Sequence, residues 1–65
     1  MDKQKMANKL IKLRGRKSRE EVAVDLGISF SSLFSYESGT RVPRDEMKIK
    51  IANYYGVRVE DIFFL

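Results

Sequence analysis

Between Gly27 and Gly39 the chain reads GISFSSLFSYESG, which sets Ser29, Ser31, Ser32, Ser35 and Ser38 around the rings of Phe30 and Phe34. Serine hydroxyls donate to or accept from base edges and phosphates, and phenyl rings meet thymine methyl groups. A short polar stretch with two large rings is unusual in a chain that is otherwise rich in charge. What these groups can do depends on which side of an element each one faces.

The composition narrows the chemistry. The 65 residues contain no cysteine, histidine or tryptophan, which removes disulfides, the usual transition-metal ligands and the commonest general base. No metal or other cofactor is expected. Asp25, Glu37, Glu60 and Asp61 form no pair that the pattern would bring into one pocket, and there is no phosphate-cradling glycine loop or nucleophile motif. An enzyme is therefore not expected, nor is a small-molecule ligand. Lys and Arg number 13 against 9 acidic residues, a net charge of +4 that suits a polyanionic partner. No apolar run reaches the ~18 residues of a membrane span, so no membrane partner and a cytoplasmic location are expected.

A chain of this length has room for one domain, taken as residues 1–65, and its elements read as all-α. Met6, Leu10 and Leu13 form a helical stripe with Ile11 beside it, giving a first helix over residues 3–14 that stops at Gly15. Ser18 caps the second helix, with Glu21 placed to complete a capping box; Val22, Ala23 and Leu26 face inward and Gly27 closes it. Ser29 caps a third helix over residues 30–38 that ends at Gly39. Asp45 and Glu46 open a fourth, with Met47, Ile51, Ala52 and Tyr55 inward and Gly56 at its end. Val59, Ile62, Phe63 and Leu65 make a short fifth helix or turn. Tyr54 and Tyr55 read as rim and core rather than as a stacking platform for single strands.

Rotating the third helix by about 100° per residue from Leu33 puts Leu33 and Tyr36 on the core side, with Ser31, Phe34 and Ser35 opposite and Phe30 and Ser32 on the flanks. The outward face then holds hydroxyls and rings without a carboxylate, as an approach to phosphates requires. Phe34 is the expected apolar reader of thymine methyls. Glu37 falls about 40° from Leu33, turned toward the protein, where a carboxylate needs a cation. Arg14, at the end of the first helix, is the expected partner in a structural salt bridge.

Two short helices joined by so tight a turn must cross steeply, with a small residue at Ala23 and a left-handed glycine at Gly27. Here the sequence resembles the phage-repressor and Cro-like (Xre-type) helix-turn-helix regulators, in EEVAVDLGIS (20–29), SYESGTRVP (35–43) and IANYYGVRVEDIF (51–63). The resemblance implies a compact five-helix bundle of the lambda-repressor-like type, with the helix-turn-helix at about 18–38. It also implies a sequence-specific regulator of transcription, a repressor whose third helix enters the major groove of double-stranded DNA, binding as a homodimer to a palindromic operator. Arg19, at the start of the second helix, and Ser38, Thr40 and Arg41, after the third, occupy the places where similar proteins meet phosphates. Lys17 and Arg44 are expected outer contacts, and Ser29, Phe30, Ser31, Ser32, Phe34 and Ser35 complete the expected interface.

Family members often carry Gln, Arg or Asn at the outward positions of the third helix, and this sequence carries none there. Arg44 and Arg58 also stand where related sequences place a capping Ser or Thr. The run Ile62-Phe63-Phe64-Leu65 is the expected dimer surface, since four consecutive apolar residues on a helix cannot all face inward; the alternative is that Ile62 and Phe63 only close the core. A second reading stays open at this stage: a protein-interaction module, such as an antitoxin or adaptor, that touches DNA weakly. Steep loss of binding with rising salt would separate the two.

Overall fold

The computed structural model describes residues 2–63, which form five helices and no strand: α1 (Lys3–Arg14), α2 (Arg19–Leu26), α3 (Phe30–Glu37), α4 (Asp45–Tyr55) and α5 (Val59–Phe63). Each start has a local cause. Asp2 accepts from the N–H groups of Gln4 and Lys5, Ser18 from that of Glu21, and Ser29 from that of Ser32, all at 3.0–3.1 Å. The Ser18 cap is only half of a capping box, because among the described residues no bond runs from the Glu21 carboxylate back to Ser18. Arg44 gives α4 no side-chain cap, and Asp45 and Glu46 in its first turn supply negative charge instead. In α5 the missing cap is replaced from inside the helix, since Asp61 Oδ2 accepts from the Arg58 N–H at 2.9 Å. That bond holds the Asp61 carboxyl below its usual range.

The apolar stripes close on one core. Met6 and Leu10 from α1, Val22, Ala23 and Leu26 from α2, Leu33 and Tyr36 from α3, Ile51 and Ala52 from α4, and Ile62 and Phe63 from α5 are all buried. α1 packs against α3 and α5, α2 against α3 and α4, and α4 against α5. Ile11 lies outside this set at 40% exposure, and Leu13, Met47 and Tyr55 are half-buried.

The core requires a correction to the dimer surface. Ile62 and Phe63 have no exposed area, because α5 is laid across α1 and α4 and spends both side chains on its own chain. They offer nothing to a second subunit. Phe64 and Leu65, the other half of that expectation, lie outside the described residues.

Two glycines shape the central unit. Gly27 adopts the left-handed conformation (φ 70°, ψ 31°), and the next amide, of Ile28, returns to the Ala23 carbonyl at 3.0 Å. This ends α2 sharply and lets α3 begin within three residues. Gly39 (φ 77°) sits against α1, where an added Cβ would stand 3.2 Å from the Lys3 carbonyl oxygen. The turn at Gly39 is thereby held close to the first helix just past the end of α3.

Candidate nucleic-acid interface

The eight residues of α3 divide sharply by side. Leu33, Tyr36 and Glu37 are buried, Ser32 and Ser35 are half-buried, and Phe30, Ser31 and Phe34 are exposed. Glu37 is the one carboxylate on this helix, so the exposed side carries no negative side chain. Phe30 and Phe34 are 45% and 49% exposed, and their rings stack with centroids 6.3 Å apart and planes 16° from parallel. Phe30 stands as far out as Phe34 because the two are one helical turn apart.

Hydroxyls at both ends of α3 are partly committed. Ser29 Oγ accepts from the Ser32 amide and donates to Ser32 Oγ, both at 3.0 Å, so it serves the cap first. Past the C-terminus, the Ser35 carbonyl receives the amides of Thr40 and Arg41 at 3.0 and 3.3 Å. The hydroxyls of Thr40 and Ser38 also point at it, at 3.2 and 3.3 Å. A carbonyl has two lone pairs, so the amides and hydroxyls compete for it, and Ser38 Oγ and Thr40 Oγ1 also lie 3.2 Å apart, within reach of a bond to each other.

Glu37 binds two cations. Arg14 Nε donates to both carboxylate oxygens, at 3.1 and 2.9 Å, and Arg19 Nε donates to Oε1 at 2.9 Å. The carboxylate is 1% exposed, against 14% for the Arg14 side chain and 34% for that of Arg19. Arg14 also donates from Nη1 to the Lys17 carbonyl at 2.9 Å, pinning the α1–α2 turn. One negative charge thus holds two positive ones, leaving a net positive charge where α2 and α3 meet. The Arg19 guanidinium carbon lies 5.3 Å from the Phe34 centroid, and that of Arg41 lies 5.5 Å from the Tyr36 centroid. Arg41 is exposed.

Lys17 is turned toward the protein as well. Its Nζ donates to the Tyr54 hydroxyl at 3.0 Å and lies 4.9 Å from that ring, and the Tyr54 hydroxyl donates to Asp25 at 2.6 Å. The bond to Tyr54 raises the Lys17 pKa above its usual value. Arg44 is exposed and makes no side-chain cap. No helix among the described residues is long and apolar enough to cross a membrane.

A helix-turn-helix family model matches residues 8–62, which runs from the middle of α1 into α5. The chain belongs to the Cro/C1-type helix-turn-helix family. It is 37% identical over 46 residues to an uncharacterised HTH-type transcriptional regulator of Methanocaldococcus jannaschii, a match covering 71% of this chain and 70% of that protein. It is 36% identical over 45 residues to the cryptic phage CTXphi transcriptional repressor RstR of Vibrio cholerae. That second match covers 69% of this chain and only 40% of RstR. No solved structure gives a significant match.

In this helix-turn-helix protein, Glu37 meets Arg19 as well as Arg14, the one partner its inward position led us to expect. The signal was present, since an inward carboxylate near two helix ends has room for more than one guanidinium. The Lys17–Tyr54–Asp25 chain was not legible, because its members are 37 and 29 residues apart.

Proposed function

We infer that this chain is a DNA-binding regulator of transcription that acts as a repressor, with α3 entering the major groove of an operator. The family is one of transcriptional regulators rather than enzymes. One observation carries the reading: the exposed side of α3 is free of carboxylate and is bordered by Arg19 at one edge and by Ser38, Thr40 and Arg41 at its end. Positive charge and hydroxyls there meet phosphates, while Phe30, Ser31, Phe34 and the half-buried Ser32 and Ser35 face the base edges.

A half-site covers only a few base pairs, so two copies on a palindrome about one helical turn apart form the working unit. With Ile62 and Phe63 internal, apolar surface for pairing comes from Ile49, which is 53% exposed beside Val59 in a shallow depression edged by Asp45 and Lys48. A cytoplasmic location follows from such a role.

The test is selection of bound duplexes from a random pool, followed by titration of the strongest binder at two salt concentrations. The expected result is a two-fold symmetric consensus whose affinity falls steeply with salt through counterion release. A pool that yields no consensus, or binding indifferent to salt, would instead favour the protein-interaction module.

A further inference from the structure

We propose that the stacked rings of Phe30 and Phe34 read the C5-methyl groups of pyrimidines in the major groove, so that the chain selects a short run of methyl-bearing pyrimidines. The inference rests on the operator-binding reading above and names what the operator must contain. The methyl group comes from thymine or from 5-methylcytosine, and the chemistry the rings meet is the same.

Two phenyl rings, each nearly half exposed, stand together on the side of α3 that carries no charged residue of its own, with the exposed Ser31 beside them, while the remaining residues are core or half-buried. A paired apolar surface of this kind gains from being covered. The floor of the major groove offers one large apolar group, the C5-methyl; apart from flat C–H edges, the rest is hydrogen-bond donors and acceptors. A ring laid over guanine O6 and N7, or over a cytosine N4 amine, strips water from those atoms and returns no bond, which is costly. The same rings therefore favour methyl-bearing steps and oppose unmethylated G·C steps, combining attraction with rejection.

The rings are also held in advance. Phe34 is in contact with Phe30 on the same helix and with the Arg19 guanidinium, which Glu37 in turn fixes. A side chain already ordered loses less entropy on binding. A centroid separation of 6.3 Å is close to two base steps of ~3.4 Å, so both rings meet methyl groups within one short run. This chain's hydroxyls then serve register and phosphate contact more than base identity.

The experiment uses the strongest duplex from the random-pool selection, remade with deoxyuridine for thymine, which removes the methyl and leaves every hydrogen-bonding group in place. A third duplex carries a 5-methylcytosine·guanine pair in place of each contacted thymine·adenine pair, and a fourth carries the unmethylated cytosine·guanine pair at the same positions. Affinity is measured for the natural chain, Phe30→Ala and Phe34→Ala, each against a random duplex as reference. Expected for the natural chain is a loss of about four-fold per methyl removed at the contacted steps, the equivalent of ~0.8 kcal/mol for one buried methyl group. Each ring variant should lose the share of that sensitivity which its own ring supplies. If the 5-methylcytosine duplex binds more tightly than its unmethylated cytosine control, the methyl rather than the base is what is read. Equal binding of those two while the deoxyuridine penalty persists would confine the reading to thymine.

Equal affinity of the natural chain for thymine and deoxyuridine duplexes, with the preference over random DNA intact, would overturn the inference and leave operator binding standing. A selected consensus without pyrimidine methyls in its half-sites would do the same, as would ring variants that keep the full deoxyuridine penalty. No preference over random DNA would overturn both readings. The deoxyuridine comparison needs no altered protein, so a misfolded variant cannot obscure it.

Discussion

Arg19 donates its Nε to Glu37 Oε1 at 2.9 Å while its guanidinium carbon lies 5.3 Å from the centre of the Phe34 ring. One arginine thus joins the buried side of α3, where Glu37 sits, to the exposed side, where Phe34 stands. Its position follows from being the first residue of α2, directly after the Ser18 cap.

The Glu37 cluster predicts an order of stabilities. Glu37→Gln leaves Arg14 largely buried without its counter-charge and should cost about 3 kcal/mol. Arg14→Ala should cost less, because Arg19 still meets the carboxylate. Arg19 is the most exposed member, and Arg19→Ala should cost below about 1 kcal/mol. Urea unfolding of the three variants checks the order; equal midpoints would mean the carboxylate does not join the helices.

Phe63→Ala should remove about 3–5 kcal/mol, and Ile62→Ala about 2–4, as expected for emptied core positions. A 65-residue chain carries only about 3–10 kcal/mol in total, so Phe63→Ala should lose a large share of its stability and melt at a much lower temperature. Circular dichroism on heating reads this directly. An unchanged melting temperature with altered self-association would restore the surface role that the core position denies it.

Gly39→Ala and Gly27→Ala should differ although both residues have positive φ. At Gly27 the nearest atom to an added Cβ is Lys50 Nζ at 3.5 Å, the movable end of a long side chain, so the cost is the left-handed strain of about 1 kcal/mol. At Gly39 the 3.2 Å approach is to the backbone carbonyl of Lys3, which cannot swing aside. The loss there should be at least about twice as large. Denaturant midpoints measured side by side decide it.

Tyr55 predicts a pH dependence. Its hydroxyl is buried without a hydrogen-bond partner among the described residues, and burial, with the Glu37 charge adding to it, pushes its pKa up to about 12 from 10.0. The fold therefore holds the phenol protonated after the unfolded chain has released the proton. The contribution is complete below pH 10 and is lost as pH rises from there through about 12. Relative to the natural chain, Tyr55→Phe should lack this part of the alkaline decline. At neutral pH it should be equally stable or up to about 1 kcal/mol more so. Parallel unfolding curves at pH 8 to 11 test this, and superimposable pH profiles would refute it.

Arg41→Ala should weaken binding to operator and random duplex by a similar factor and reduce the salt slope by about 1, the signature of a lost phosphate contact. A change confined to one base position would instead make Arg41 a base reader.

The order and bounds of the helices were legible in the sequence, because Ser18, Ser29, Gly27 and Gly56 act within a turn of themselves. The outward place of Ser31 and Phe34 was legible as well, since helical period alone fixes a residue's angle from Leu33. The pairing of Arg14 with Glu37 could be anticipated from an inward carboxylate and a nearby helix end. What the tertiary structure alone decided is how groups distant in the chain share partners. Arg19 joins Glu37, Lys17 reaches Tyr54, and Ile62 and Phe63 turn inward although four apolar residues in a row suggested a surface. Spacing determines the direction of a side chain from its own helix axis; which neighbour lies in that direction depends on how the five helices close over one core.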